Sequence, residues 1–253
     1  MNKKSKMLIL VLIIVAFIMA GLIFLNSKFN RAIEQGQTAV EQNREDIFSQ
    51  PGFCDPKEKW KSEAKDDSGK VQLISEAEFK LIENPTECTA LHWDMKGEEM
   101  ASFVESHIDN WYAGDWEMHE SSLYNVGEGE NTETYYSLRK NFWLFDKTTG
   151  TDLPWEVEVN YDAVSGRLHS IGYSLPNKED MRLAFIDIME QFGEDKMTSG
   201  EMFEKVFKGL ETLEGDKYIS YEQDGYELYM TEQDYFTGMK KNKKYWMSIS
   251  PSI

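Results

Sequence analysis

The side chains best suited to acid–base or metal chemistry in this sequence are His107 and His119, with Asp109, Asp115 and Glu117 between them. Imidazole nitrogens and carboxylate oxygens are ordinary zinc ligands, but a zinc site needs three or four of them converging on one point. The pattern predicts that His107 lies on the buried stripe of a helix and that His119 lies in the strand that follows. Because this spacing does not make the ligands converge, we predict no metal site, no catalytic residue and no cofactor.

Sequence signatures of the common enzyme classes are missing. The chain contains no G-x-S-x-G, no H-E-x-x-H, no G-x-x-x-x-G-K-[ST] and no dinucleotide-binding fingerprint. Carboxylates are so numerous that some pair would suit a glycosidase, and no spacing singles one pair out. The enzymatic alternative is a hydrolase acting on the cell wall, which would require His107, His119 and Asp115 to meet in one cleft.

The sequence contains two cysteines, Cys54 and Cys88. If both lie outside the cytosol, a lone pair is most simply explained as one disulfide. A metal site or a catalytic thiol is the alternative, because His92 follows Cys88 closely, although no C-x-x-C motif supports it. We predict a Cys54–Cys88 disulfide, which would stabilise the loop-rich segment around it by about 3 to 4 kcal/mol.

Aromatic residues are dense between Trp111 and Trp155. On a sheet they would stack on sugars or anchor a protein interface, where Trp and Tyr often supply much of the binding energy. The alternative is that they form the packed core of the sheet. Tyr135 and Tyr136 are adjacent and therefore point to opposite faces of a strand. We predict an interaction surface that includes Trp116, Tyr135, Trp143 and Trp155.

The elements that position these residues include amphipathic helices. A predicted helix from Glu98 to about Ala113 has one apolar stripe, formed by Met100, Phe103, Val104, His107, Ile108 and Trp111. A second helical region opens with Asn177 as its cap. The spacings Ser75-x-x-Glu78 and Thr198-x-x-Glu201 each fit a capping box, which predicts that a helix begins at each of them.

Strands are predicted by alternation and by β-branched and aromatic residues. The segments "WEMHESSLYN", "TETYYSLRKNFWLF", "PWEVEVNY" and the C-terminal "KYWMSIS" each read as a strand. A turn at Asp162–Gly166 predicts one hairpin, and the dipeptide Asp224-Gly225 predicts another. The lysines around Asn242 read as a solvated basic turn between two strands.

This order of elements predicts an α+β protein with a single N-terminal transmembrane helix, followed by an ectodomain of antiparallel sheet packed with helices. One sheet and two successive helix-on-sheet units both fit the order. The predicted segments are a cytoplasmic tail at 1–6, an anchor at 7–25, a juxtamembrane helix or stalk at 26–52, a disulfide-stapled, loop-rich segment at 53–97, a helix-plus-sheet unit at 98–176, and a helical pair with antiparallel strands at 177–253.

The segment "MLILVLIIVAFIMAGLIFL", residues 7–25, is uncharged and long enough to cross a bilayer as a helix. A signal peptide cleaved next to Ala20 is the alternative, but the apolar run continues past that point. Lys3, Lys4 and Lys6 precede the segment, so the positive-inside rule places the N-terminus in the cytoplasm. We therefore predict a single-pass membrane protein whose C-terminal domain is periplasmic or extracellular.

The net charge of the chain is -18, from 45 Asp and Glu against 27 Lys and Arg. A surface this acidic repels nucleic acid and favours a basic protein partner, and it also promotes solubility whatever the function. A heptad-like seam in the juxtamembrane helix would permit a weak homodimer. After the anchor there is no N-x-[ST] sequon, which favours a bacterial envelope over a secretory pathway.

Together these features predict an extracytoplasmic binding protein of the bacterial envelope without catalytic activity. It would be an immunity or inhibitor protein, or a component of a secretion or cell-wall assembly. A cell-wall hydrolase and a ligand-binding sensor domain are the alternatives, and the sequence identifies neither a ligand nor a partner.

Overall fold

The computed structural model of the chain describes residues 41–54, 72–87, 92–120, 123–128, 134–146, 151–215, 217–237 and 240–252. The chain divides into two compact units, Met1–Ile47 and Phe48–Ile253. In the first unit residues 41–47 are described, and they are helical. The predicted anchor at 7–25 and Cys88 lie outside the described residues. Within the described part of the chain, no helix combines the length and the apolar character needed to cross a membrane.

The second unit combines helices with a sheet, which confirms the predicted α+β class. Its helices are α1 (Glu76–Phe79), α2 (Gly97–Trp111), α3 (Lys178–Gln191) and α4 (Lys196–Thr212). Its strands are β1 (Phe53–Cys54), β2 (Gln72–Ser75), β3 (Asp115–Glu120), β4 (Leu123–Glu128), β5 (Thr134–Asp146), β6 (Thr151–Asp162), β7 (Leu168–Ser174), β8 (Lys217–Gln223), β9 (Tyr226–Thr237) and β10 (Lys240–Pro251).

The described strands form one antiparallel sheet. Their order is β1-β8-β9-β10-β7-β6-β5-β4-β2, and β3 also pairs with β5. The pairing of β10 with β7 joins the C-terminal strands to those that precede α3. The segments 98–176 and 177–253 therefore share a single sheet. Of the two arrangements that fit the sequence, the chain adopts one sheet and not two successive helix-on-sheet units.

The segment "WEMHESSLYN", predicted as one strand, is two strands. β3 and β4 both pair with β5, along different parts of it: β3 pairs with Asn141 and its neighbours, and β4 pairs with Ser137 and its neighbours. The prediction was wrong because alternation within a segment reports which face a side chain occupies. It carries no information about where a long partner strand passes from one neighbour to the next.

Side-chain caps set the start of two helices as predicted. Asn177 accepts a hydrogen bond from the Asp180 backbone N–H at the start of α3. Ser75 and Glu78 form the capping box of α1, each accepting from the other's backbone N–H. Both caps depend on residues within one helical turn, so the local sequence suffices to predict them.

The capping box predicted at Thr198 is wrong, because α4 begins one turn earlier. The carboxylate of Asp195 accepts from the backbone N–H groups of Met197 and Thr198, each at 3.0 Å. The Thr198 hydroxyl also donates to this carboxylate, and these hydrogen bonds hold the pKa of Asp195 below its ordinary value. Thr198 thus lies in the first turn of α4 and not before it.

The hairpin between β6 and β7 turns where the sequence predicts. The buried carboxylate of Asp162 accepts from the Val164 N–H, the Ser165 N–H and the Ser165 hydroxyl. Gly166 has a φ of 70°, in the left-handed region that glycine adopts without steric cost. The Gly97 N–H donates to the Gly166 carbonyl at 2.9 Å, so this turn also fixes the start of α2.

The helices cover one face of the sheet, and the main core lies between them. The buried side chains on that face include Leu144, Val157, Val159, Ile171, Tyr173, Met230 and Ile249. α2 packs against β6 and β7, α4 packs against β8 and β9, and α3 packs against both of these helices. The Trp111 Nε1–H donates to the Asp187 carboxylate at 2.7 Å, which links α2 to α3.

Candidate functional site

The face of the sheet opposite the helices carries polar and aromatic side chains across seven strands. Neighbouring positions of a strand alternate between faces, so residues that pair with one another across strands share a face. One line of paired residues runs from β3 to β8 through His119, Asn141, Glu158, Gly172, Ser248, Tyr229 and Ser220. We call this surface the open face.

A second line lies beside the first on the open face. From β3 to β7 it contains Glu117, Trp143, Glu156 and Ser174, and it continues on β10, β9 and β8 with Trp246, Thr231 and Tyr218. Carboxylates outnumber cations here, since Glu222 and Glu227 also pair on this face. The open face is therefore acidic, in agreement with the net charge of the chain.

Trp143 is the most exposed of the predicted interaction residues whose burial the structure describes. Its side chain is 41% exposed. The His119 ring stacks on the indole with a centroid separation of 4.2 Å, and the residues paired with Trp143 on either side are Glu117 and Glu156. An exposed indole with carboxylates on both sides is suited to binding a cation.

Trp116 lies on the helix-covered face, although the predicted interaction surface includes both Trp116 and Trp143. It pairs with Leu144, which is fully buried beneath the helices. Its Nε1–H donates to the Asp109 carboxylate at 2.7 Å, and its ring lies 6.0 Å from that of Phe142. Trp116 therefore joins the end of α2 to β3 and is not part of the open face.

The two other predicted interaction residues are Trp155 and Tyr135. Trp155 falls where the β5–β6 register shifts, and its ring meets Tyr235 edge-on at a centroid separation of 6.4 Å. Tyr135 pairs with Gly127 in the ladder between β4 and β5. The side chain of Tyr135 lies outside the described part of the structure, so its membership in the surface stays a prediction.

The sequence reasoning missed Trp246, which lies flat on the open face. A Cβ at position 172 would come within 2.3 Å of the Trp246 ring, so only glycine allows this close approach. The Lys244 ammonium lies 5.7 Å from the centre of the indole and 4.0 Å from the Glu156 carboxylate. The alternation of "KYWMSIS" would have identified Trp246. It places Met247 and Ile249 on one face of the strand, which is buried, and Trp246 on the opposite face.

The lysines around Asn242, predicted as a solvated turn, lie within β10 instead. Lys241 forms an ion pair with Asp234 at 2.7 Å, and Lys243 forms one with Glu232 at 2.9 Å. The prediction was wrong because β9 supplies a carboxylate opposite these lysines, and cross-strand pairs of opposite charge stabilise a ladder. The Lys241 and Lys243 side chains are 61% and 55% exposed, so they are solvated, and carboxylates of β9 compensate their charges.

Glu232 is the centre of a polar cluster on the helix-covered face. Besides Lys243, the Lys217 ammonium lies 3.7 Å from its carboxylate, and the Tyr245 hydroxyl donates to it. Burial opposes ionisation of this carboxyl, but these partners hold the pKa of Glu232 below its ordinary value. Burial and the Glu232 carboxylate raise the pKa of Tyr245 to about 12. Since these groups satisfy one another, the cluster joins β8, β9 and β10.

The histidines have separate partners. His107 bonds to the Phe103 carbonyl at 2.9 Å and stacks on the Phe103 ring, both within α2, whereas His119 stacks on Trp143. Among the described residues, no group of three His, Cys, Asp or Glu side chains is arranged to hold a metal ion. Cys54 lies in β1 with its Sγ 4.0 Å from the Gly52 carbonyl, and its disulfide to Cys88 stays a prediction.

Among the residues that the structure describes, two buried polar atoms on the open face have no hydrogen-bond partner: Asn141 Oδ1 and Ser174 Oγ. Ser174 is fully buried between the positions of Glu156 and Trp246. An unpaired buried hydroxyl costs about 1 to 3 kcal/mol, so this part of the sheet is not optimised for stability alone.

The geometry of the open face suits the binding of basic groups. Searches against protein-family models, curated proteins and solved structures find no match to this chain.

Proposed function

We propose that this protein is a non-catalytic binding protein of the bacterial envelope and that it binds a basic protein partner on the open face of its sheet. The observation that carries the proposal is the 41% exposed indole of Trp143, which stands among carboxylates on the face opposite α2, α3 and α4. Exposed tryptophans surrounded by polar groups are frequent at the centre of protein interfaces.

The charge of the protein supports a basic partner. With a net charge of -18, it attracts cationic surfaces over distances of about a Debye length, and this attraction raises the rate of association. One form of the proposal is an immunity or inhibitor protein whose acidic face covers the basic cleft of a toxic envelope enzyme. The other is a component of a secretion or cell-wall assembly.

The predicted anchor belongs to the same proposal. We place the N-terminus in the cytoplasm, residues 7–25 in the membrane, and the sheet outside, where Cys54 and Cys88 form a disulfide. Fractionation of cells making the full chain should recover it in membranes that resist carbonate washing, with its N-terminus intact. A mature chain that begins near Gly21, or one with both thiols reduced in the soluble fraction, would disprove this placement.

Site-specific photo-crosslinking in the native host tests the binding function. The full chain would carry p-benzoylphenylalanine in place of Tyr229, at the centre of the open face, because this change keeps an aromatic ring. The matched control carries it in place of Met197, which is 72% exposed on α4. We expect an adduct with a basic protein, identified by mass spectrometry, from position 229 alone and weaker at high salt. Equal adducts from both positions, or none from 229, would contradict the proposal.

A further inference from the structure

Two tryptophans flank the same carboxylate on the open face. Trp143 pairs with Glu156 across β5 and β6, and Glu156 pairs with Ser174 of β7. Trp246 precedes Met247, which pairs with Tyr173, so its position adjoins that of Ser174 on the far side from Glu156. The line Trp143, Glu156, Ser174, Trp246 therefore contains two half-sites that share one carboxylate.

The half-site at Trp246 is filled by a cation of the protein itself. Lys244 lies 5.7 Å from the indole centroid and 4.0 Å from the Glu156 carboxylate. The lysine side chain is only 15% exposed. An ammonium over an indole ring is attracted by the negative face of the ring, and the carboxylate supplies the opposite charge. The protein thus contains one complete example of a cation held between this carboxylate and a tryptophan.

The half-site at Trp143 has the same two components without a lysine or arginine from the described part of the chain, and the imidazole of His119 lies on its indole with Nε2 3.7 Å from the Glu117 carboxylate. Its carboxylates are Glu156, 33% exposed, and Glu117, 65% exposed. Among the described residues no lysine or arginine lies over the Trp143 ring, and the ring that stacks on it is that of His119. The nearby cation Arg139 is held by Glu158 at 2.8 Å, so its charge is already compensated.

We propose that Trp143, Glu117 and Glu156 form a docking site for an arginine side chain of the partner protein. This inference rests on the proposed binding function and names the chemistry of its central contact. Arginine fits better than lysine because its planar guanidinium stacks on an indole and donates in a fork to carboxylates at its edges. The exposed surface of Trp143 would receive the plane, and the carboxylates would accept from its N–H groups.

The experiment measures binding of a fluorescent peptide with three consecutive arginines to the full chain in detergent micelles at low salt. The matched peptide with three citrullines keeps the planar shape and removes the charge. The variants are Trp143→Leu and Glu117→Gln, both at exposed side chains, and the control is Glu105→Gln. Glu105 is exposed on α2, so its substitution changes the net charge equally without touching the open face.

We expect the arginine peptide to bind and the citrulline peptide not to bind. Trp143→Leu should weaken binding about fivefold, the value of an exposed cation–π contact, and Glu117→Gln about twofold. Glu105→Gln should leave the affinity unchanged. A peptide with three lysines is measured in the same way and should bind more weakly. The arginine site is wrong if this peptide binds equally well, or if Glu117→Gln and Glu105→Gln have equal effects.

The outcomes separate this site from the proposed function. If the arginine peptide fails to bind while position 229 still crosslinks a basic protein, the docking site is wrong and the binding function stands. If the peptide binds through Trp143 and no crosslink forms in cells, the site exists as described and the proposed protein partner is wrong.

Discussion

The two faces of the sheet differ most sharply at two neighbouring residues of β5. Leu144 points toward the helices and is fully buried, whereas Trp143 points to the open face and is 41% exposed. Both are large apolar side chains in one strand, and only the presence of helices on one side distinguishes them. An apolar residue thus contributes to stability on one face and is available for recognition on the other.

The polar groups of the two faces differ in the same way. On the helix-covered face the Tyr173 hydroxyl contacts the Met181 carbonyl and the Met247 sulfur, and Glu232 is surrounded by cationic and hydroxyl donors. On the open face the next residue, Ser174, has a buried hydroxyl without a partner. The Tyr173 and Glu232 side chains of the covered face are thus paired inside the protein, whereas the Ser174 hydroxyl of the open face is buried without a partner.

The largest expected effect comes from comparing Leu144→Ala with Trp143→Ala. Leu144→Ala should lower the free energy of unfolding by about 2 to 5 kcal/mol, because it leaves a cavity under the helices. Trp143→Ala should cost about 1 kcal/mol, mainly from the lost stack with His119. Urea unfolding of the full chain in detergent measures both. Equal losses from the two variants would contradict the assignment of the faces.

Alkaline pH should weaken the covered face at the Glu232 cluster. Unfolded Tyr245 loses its proton near pH 10, whereas its folded pKa is about 12, so the unfolded state binds fewer protons between these values and stability falls there. The hydrogen bond and charge of Glu232 raise the pKa of Lys243, so its contribution is also lost as pH rises. Below the ordinary pKa of Glu232, stability falls as that carboxylate is protonated.

The measurement for this prediction is the urea midpoint at pH 8, 10 and 11. Tyr245→Phe should flatten the fall between pH 10 and 11, because phenylalanine has no proton to lose. The matched control is Tyr235→Phe, at a tyrosine whose ring meets Trp155 edge-on and that lies outside the Glu232 cluster. An identical slope in wild type and Tyr245→Phe would show that Tyr245 is not linked to folding in this range.

A smaller effect is expected from Tyr173→Phe, which removes one buried hydroxyl from the covered face. The loss of its contacts with the Met181 carbonyl at 3.3 Å and the Met247 sulfur at 3.1 Å should cost about 1 kcal/mol. Thermal unfolding at neutral pH would detect this change. Burial raises the pKa of Tyr173 well above its ordinary value, so the residue stays protonated under these conditions.

The smallest effect, with the opposite sign, is expected from Ser174→Ala. Removing a buried hydroxyl that has no partner should leave stability unchanged or raise it by at most about 1 kcal/mol. The same thermal unfolding assay applies. A loss as large as that of Tyr173→Phe would mean that the serine hydroxyl is engaged, and the contrast between the two faces would then fail at this position.

Local hydrogen bonding explains which parts of the fold could be predicted. The cap at Asn177 and the turn at Asp162–Gly166 depend on groups a few residues apart, and so does the hairpin turn at Asp224-Gly225, where both residues have positive φ. The start of α4 was predicted wrongly because Asp195 is the capping residue: its carboxylate accepts from the backbone N–H groups of Met197 and Thr198, which places Thr198 inside the first turn.

Long-range pairing explains what could not be predicted about the candidate site. Alternation assigns the residues of one strand to two faces, but it does not relate Trp116 of β3 to Trp143 of β5, and it does not say which face the helices cover. The approach of Trp246 to Gly172 brings together residues far apart in the chain, and so does the pairing of Lys244 with Glu156. No spacing in the sequence encodes these contacts.

The sequence by itself determined the α+β class, the caps at Ser75 and Asn177, the hairpin turns, and the acidic character of the chain, because each follows from composition or from bonds between near neighbours. Only the tertiary structure decided that one sheet joins both predicted segments, that Trp143 is exposed while Trp116 is covered, and that the lysines of β10 are paired. The reason is physical: which face of a strand is buried, and which charges meet, depends on partners that the chain brings together from distant positions.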